Sequence, residues 1–312
     1  MSYKDNQKKI QKSFFANKKK EMGGVYRRKK YDYILKDYND NLVCKDVIDY
    51  FAKNSINWWG GKQPTGNTLS SQIACINHLF PIRQDHDAVL AIAQSVDSDF
   101  DDVEKLQNDN YENGYISFEA VSAIDHLNEA RGKNKKLHRG SQCTSIDAII
   151  IAKKQGKRVL LVIEWKYVEK YGNEDKSQKQ EGKTRLKRYS NLMKESKELE
   201  IEGDCTGSVF FFEPFYQLMR QVLWAEQMIN INHKEEPLHA DDFIHVHVVP
   251  KGNKELLQKK YRRSHQDMLT TWRCRLKNPN KYVLISPAEF FSKLSCDKWK
   301  NLICYLKARY WQ

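Results

Sequence analysis

The longest apolar runs in the chain are residues 146–152 and 158–166, separated by Lys-Lys-Gln-Gly-Lys, which reads as two strands joined by a tight turn. Ahead of them the pattern is mostly helical. Residues 32–55 place Leu42, Val43, Val47, Ile48 and Phe51 at helical spacing. WWGGKQPTGN then reads as a loop, and Thr68-Leu-Ser-Ser-Gln opens a helix carrying Ile73, Ile76 and Leu79 up to Pro81. A further helix is expected from Asp87 to Ser95, and residues 117–130 also show helical periodicity. Beyond the hairpin, residues 179–199 read as a helix with Leu186, Tyr189, Leu192 and Met193 on one face. GSVFFF reads as a short strand and FYQLMRQVLWAEQMI as an amphipathic helix through Phe215, Leu218, Met219, Val222 and Leu223. FIHVHVVP reads as a strand ended by Pro250. This order of elements predicts an α/β fold, a mixed sheet flanked by helices. The acidic segment 97–110 marks a boundary between a mostly helical N-terminal region, 1–105, and a core with a C-terminal extension, 106–312.

No apolar run approaches the ~20 residues of a membrane helix, and the N-terminus has charge but no apolar stretch of the signal-peptide kind, so a cytoplasmic protein is expected. The net charge of +13 favours a polyanionic partner, nucleic acid before membrane, because no basic amphipathic helix with a clean apolar face stands out. Much of that charge sits in residues 1–31, which read as a helix followed by a flexible basic arm (Lys18–Lys20 and Arg27–Lys30). The seven cysteines form no CxxC pair, so they read as reduced, mostly buried small hydrophobes rather than a disulfide or zinc framework. There is no P-loop, dinucleotide fingerprint or GxSxG elbow.

The hairpin carries the chemistry. Paired about a centre between Gln155 and Gly156, its strands put Asp147 opposite Glu164, where Cβ atoms stand ~4.5–5.5 Å apart. Period-two alternation puts Lys166 on the face of Glu164. The surrounding strands, IDAIIIA and RVLLVIEW, imply burial on both faces, where facing carboxylates are costly unless something positive lies between them. A divalent cation resolves the conflict. Mg²⁺ takes one or two carboxylates plus phosphate oxygens, and Lys166 beside it would orient an attacking water or help deprotonate it. The bland alternative is a salt bridge at a strand end.

Asp147, Glu164 and Lys166, as D-x(16)-E-x-K across a hairpin, after a helix bearing Glu119 and before a basic helix, resemble the PD-(D/E)xK nuclease superfamily over roughly residues 110–250. The Pro that often precedes the first Asp is replaced by Ile146. FEAVSAID, SQCTSIDAI and EPFYQLMRQ are further similar to a group of bacterial restriction endonuclease-like proteins. The resemblance implies a restriction endonuclease-like fold and Mg²⁺-dependent hydrolysis of DNA phosphodiester bonds, with Mn²⁺ as a substitute. It implies a role in restriction or antiphage defence, with a methyltransferase or other defence-system partner. It casts Asp147, Glu164 and the Trp165 carbonyl as metal ligands, Lys166 as the residue that positions or activates water, and Glu119 as a further acid near the metal, with Glu129 its rival. Cutting both strands of a duplex needs two sites, which favours a homodimer.

Around this centre, Arg139, Gln142 and Ser145 in the preceding loop are candidates for phosphate contact, against the reading of an ordinary surface loop. In similar nucleases the basic helix flanks the site, which nominates Gln180, Lys183 and Arg185; a solvated basic face is the alternative. Gln217, Arg220 and Gln221 lie on the more polar side of the next helix, with Arg220 the strongest nucleic-acid candidate among them. His245 and His247 alternate as on a partly exposed strand face rather than as metal ligands. Trp58-Trp59 reads as a core anchor before a base-stacking element. Two rival functions stay open: an inactive nucleic-acid-binding module on the same scaffold, and a structure-specific or RNA-directed nuclease.

Overall fold

Gln155 and Gly156 both adopt positive φ, 53° and 78°. This is the backbone of a two-residue hairpin turn whose twist matches the strands on either side. The turn fixes the register of everything that follows. The structure is a computed structural model and describes residues 1–26, 28–59, 61–110, 113–130, 136–141, 143–201 and 208–312.

Before the hairpin come helix α1 (Tyr3–Asn17), a small exposed hairpin of β1 (Val25–Tyr26) and β2 (Lys29–Lys30), and helices α2 (Val47–Lys53), α3 (Ser71–Leu79) and α4 (His86–Val96). Strands β3 (Asp102–Glu104) and β4 (Ser117–Ala120) lead into the central pair, β5 (Ile146–Lys154) and β6 (Lys157–Trp165). Helices α5 (Lys179–Glu195) and α6 (Phe215–Met228) precede β7 (Asp242–Val248). The chain closes with α7 (Lys254–Leu257), α8 (Met268–Arg273), β8 (Tyr282–Ile285), α9 (Pro287–Phe290) and α10 (Cys296–Arg309).

The sheet has six strands in the order β3-β5-β6-β7-β8, with β4 pairing β5 beside β3. Pairing is antiparallel from β3 to β6 and parallel from β6 to β8. The expected α/β fold with a mixed sheet flanked by helices is the fold observed. On one face Ala148, Ile150, Leu161, Ile163 and Val246 pack against α2, α3 and α4 and against Phe290, Ile303 and Leu306 of the C-terminal helices. On the other, Ile149, Ile151, Leu160, Val162 and Phe243 meet Met193 of α5, Leu218 and Val222 of α6 and Trp272 of α8. Burial of the strands on both faces explains their near-continuous apolar sequence. Helices α2–α4 and the C-terminal α9 and α10 thus share one apolar cluster with the sheet, while Phe14 and Phe15 of α1 form a separate small cluster with Leu35.

Several local expectations need correction. Within residues 32–55 only Val47–Lys53 is α-helical; Asp37 instead caps a short 3-10 turn, Tyr38–Asn41, by accepting from Asn39 N–H at 2.8 Å. Asn and Asp side chains offer the backbone such local partners and so end helices. Residues 117–130 are not a helix: the first four form β4, and the rest is turn structure in which Asp125 accepts from the N–H groups of Glu129 and Ala130, both at 2.8 Å. A short apolar run cannot distinguish buried strand from helix by periodicity, and here the partner strand decides. GSVFFF forms a buried 3-10 turn, Val209–Phe211, not a strand. Of the six described cysteines only Cys75 is buried; Cys44 and Cys143 are intermediate, Cys274, Cys296 and Cys304 are exposed, and Cys205 lies outside the described residues. No helix among the described residues is long and apolar enough to cross a membrane.

Candidate active site

The pairing runs from Lys154↔Lys157 down to Ala148↔Ile163, and the same register extended by one position puts Asp147 opposite Glu164, as the hairpin centre predicts. Asp147 turns one carboxylate oxygen to the Trp165 N–H at 2.8 Å. Glu164 is fully buried and ion-paired with the Lys166 ammonium, itself only 5% exposed. The Lys166 backbone is held by its N–H to Val248 O, 2.9 Å, at the end of β7.

Helix α6 supports both charges. Gln217 Oε1 accepts from Lys166 Nζ at 2.6 Å, and one turn later Gln221 Nε2 donates to Glu164. Gln221 Oε1 in turn meets His245 Nε2 at 2.9 Å. These glutamines position the site rather than face water. Their i, i+4 spacing, which puts both on one side of the helix, was the available signal. His245 and His247 are buried, not partly exposed, and burial lowers both, His245 to about 3. They are neutral struts: His247 Nδ1 lies 2.8 Å from the Tyr282 hydroxyl.

Glu119 arrives from β4, in line with Asp147 across the strand pair, and is 2% exposed. Its φ of 47° is a strained conformation for a residue with a Cβ, worth about 1–3 kcal/mol. Arg139 clamps this stretch. It donates to Ser117 Oγ at 2.9 Å, Phe118 O at 2.5 Å and Glu119 O at 3.3 Å, and pairs with Asp109 at 3.0 Å. Its guanidinium is turned inward, away from where a phosphate would approach. Glu119 Oε1 accepts from Gln72 Nε2 at 2.6 Å and Trp59 Nε1 at 3.1 Å, while no donor in bonding geometry reaches its buried Oε2. Gln72 is a partner that the sequence reading missed; an amide in the apolar helix SQIACINHL was its only trace.

The electrostatics follow from gathering three carboxylates, Glu119 and Glu164 buried and Asp147 half-buried, around one ammonium. Burial raises Glu119 to about 7, with Glu164 adding to the rise and the hydrogen bonds from Gln72 and Trp59, together with the nearby Ser145 hydroxyl, opposing it. Asp147 is held well above the usual carboxylate range by burial and by Glu164 and Glu119, against Lys166 and the Trp165 N–H. Burial alone would lower Lys166, but Glu164 and its anionic surroundings outweigh it, so the side chain is an ammonium.

Of these residues Glu119 lines an open cleft of about 820 Å³, together with Gln217 and Ser145. Asp147, half-buried, and Glu164 and Lys166, both buried, are not part of that lining. Arg185, Arg188, Arg220 and Lys62 line the walls. Arg220 stacks over Tyr216, 4.9 Å from the ring centre, and approaches Glu129 at 3.5 Å. Lys183 is exposed on α5 outside the cleft lining, and Gln142 falls outside the described residues. Glu129 also lines the cleft, but its oxygens are taken by Thr144 N–H at 2.5 Å, Thr144 Oγ1 at 2.8 Å and Tyr189 OH at 2.5 Å.

Among the described residues, no three His, Cys, Asp or Glu side chains already stand together as a metal cage. The donor set nevertheless suits a hard divalent cation: oxygen ligands only, three acidic side chains against one ammonium, and a buried Glu119 oxygen with no donor in bonding geometry.

The family model described as restriction endonuclease associating with ARP matches residues 3–311. No curated protein and no solved structure matches the chain significantly.

Proposed function

The chain belongs to the family of restriction endonucleases associating with ARP, and we propose that it is a Mg²⁺-dependent DNA endonuclease of the PD-(D/E)xK type with Asp147, Glu164, Lys166 and Glu119 at its centre. The observation that carries this reading is the hairpin end where Glu164 is ion-paired with the buried Lys166 ammonium while Asp147 and Glu119 lie near enough for the carboxylates to repel one another, an arrangement too costly to retain as a mere strand-end salt bridge.

Asp147, Glu164 and the Trp165 carbonyl are the groups that would hold Mg²⁺ or Mn²⁺. When bound, the cation supplies Lewis-acid polarisation of the scissile phosphate and a more acidic water. Lys166, kept cationic by Glu164 and aimed by Gln217, orients that water and stabilises the developing negative charge on the phosphorus oxygens. Its protonation favours this role over that of a base. Glu119, with its free oxygen, is the group able to take a proton. Arg185 and Arg220, with Arg188 and Lys62, neutralise the phosphates that flank the cut. A place in restriction or antiphage defence, two copies acting on the two strands, and a methyltransferase or other defence partner belong to the same proposal.

The test is incubation of the protein with supercoiled plasmid in Mg²⁺, Mn²⁺ or EDTA. Linear or nicked product with either cation and none with EDTA is the expected result; cleavage that persists in EDTA would refute the metal-dependent mechanism.

A further inference from the structure

Trp58 and Trp59 are adjacent in sequence and opposite in fate. Trp58 is buried and stacks on Phe51, ring centres 4.0 Å apart and planes within 20°. Trp59 is 66% exposed, yet it is pinned. Its backbone N–H donates to Gln72 Oε1 at 3.1 Å, and its indole N–H donates to Glu119 at 3.1 Å. A large aromatic held this way loses little freedom when a ligand covers it.

Its position is informative. Trp59 and the exposed Lys62 line both the 820 Å³ cleft of the candidate active site and a second cleft of about 730 Å³, which is also lined by Tyr26, Lys36, Tyr38 and Gln63. The two residues therefore form a ridge between two recesses with cationic and aromatic walls. Such alternation suits a strand of nucleic acid, with phosphates on the cations and bases on the rings. In a duplex both faces of every base are covered by its neighbours, so a fixed tryptophan face has use only for a base out of the stack. The recess in front of Glu119 has the volume of a small-ligand pocket, about 300–1,000 Å³, which an extended strand can enter.

We infer that Trp59 is a stacking platform for an unpaired base, and that the site takes a single-stranded or locally opened segment of nucleic acid threaded over the Trp59–Lys62 ridge. The inference rests on the nuclease reading for its biological sense, but its test is binding and needs no cleavage. In EDTA, labelled single-stranded DNA, single-stranded RNA and duplex DNA of one sequence are titrated with wild type, Trp59→Phe and Trp59→Ala, with thermal melting as the control for folding. Single strands are expected to bind wild type more tightly than duplex. Trp59→Ala should weaken single-strand binding about tenfold or more, and Trp59→Phe, which keeps a ring, should weaken it less. Quenching of tryptophan fluorescence by the single strand should shrink in Trp59→Phe. Tighter binding of duplex, or an equal loss for duplex and single strand in Trp59→Ala, overturns the inference while leaving the nuclease reading standing. Absence of binding to all three nucleic acids overturns both.

Discussion

Two glutamates line the same cleft, equally buried at 2% and 3% exposure, and their surroundings differ in kind. Glu129 is satisfied: a backbone N–H, two hydroxyls and the Arg220 guanidinium account for its oxygens. Glu119 is not. It has two donors on one oxygen, none in bonding geometry on the other, a positive φ and two further carboxylates as neighbours. The first arrangement stabilises a fold. The second leaves unmet bonding capacity and crowded acidic groups at one point, which is what the proposed cation and phosphate site requires and a structural carboxylate lacks.

Substitutions on the two sides should therefore behave differently. The largest effect is expected from Asp147→Ala, which should lower cation-dependent cleavage on the order of 10³-fold while leaving the melting temperature at or above that of wild type. Next, Glu129→Ala strands the Thr144 N–H, the Tyr189 hydroxyl and Arg220, and should cost about 3 kcal/mol in chemical denaturation. A Glu129→Ala protein as stable as wild type would erase the contrast.

Glu119→Gln should do the opposite. A carboxyl raised to about 7 binds its proton more tightly folded than unfolded, so its ionisation destabilises the fold as pH rises from about 4.5 through 7. In EDTA, Glu119→Gln should gain on the order of 1–3 kcal/mol over wild type at pH 8, shrinking towards zero near pH 4, and it should lose cleavage activity. A pH-independent difference would contradict this account of the cluster. The smallest effect is assigned to Lys183→Ala. This side chain is exposed outside the cleft and should change cleavage by less than about twofold, whereas Arg185→Ala, within the lining, should weaken DNA binding and lower its salt dependence.

The parts of this site legible from sequence were those set by strand geometry. The Gln155-Gly156 turn determines register, register brings Asp147 to Glu164, and alternation with one further residue brings Lys166. Glu119 was identified through resemblance but expected on a helix; pairing with β5 makes its segment a strand, and no local pattern distinguishes the two. The supporting shell was illegible for a different reason. Gln72, Gln217 and Gln221 are ordinary polar residues until α3 and α6 pack against the sheet and aim them at Glu119, Lys166 and Glu164. Arg139 shows the reverse error: a loop arginine that looks made for phosphate spends its donors on Ser117, Phe118 and Asp109. Strand β8 and helices α7–α10 went unassigned altogether, although β8 extends the sheet and Phe290 and Leu306 complete one face of the core.

The central claim is that the buried ammonium of Lys166 acts on substrate. The most direct measurement is the plasmid cleavage rate of Lys166→Ala beside wild type in Mg²⁺, with DNA affinity measured in parallel. The account predicts cleavage by wild type alone and DNA affinities within a few-fold of each other. A Lys166→Ala protein that cuts as fast as wild type would contradict it.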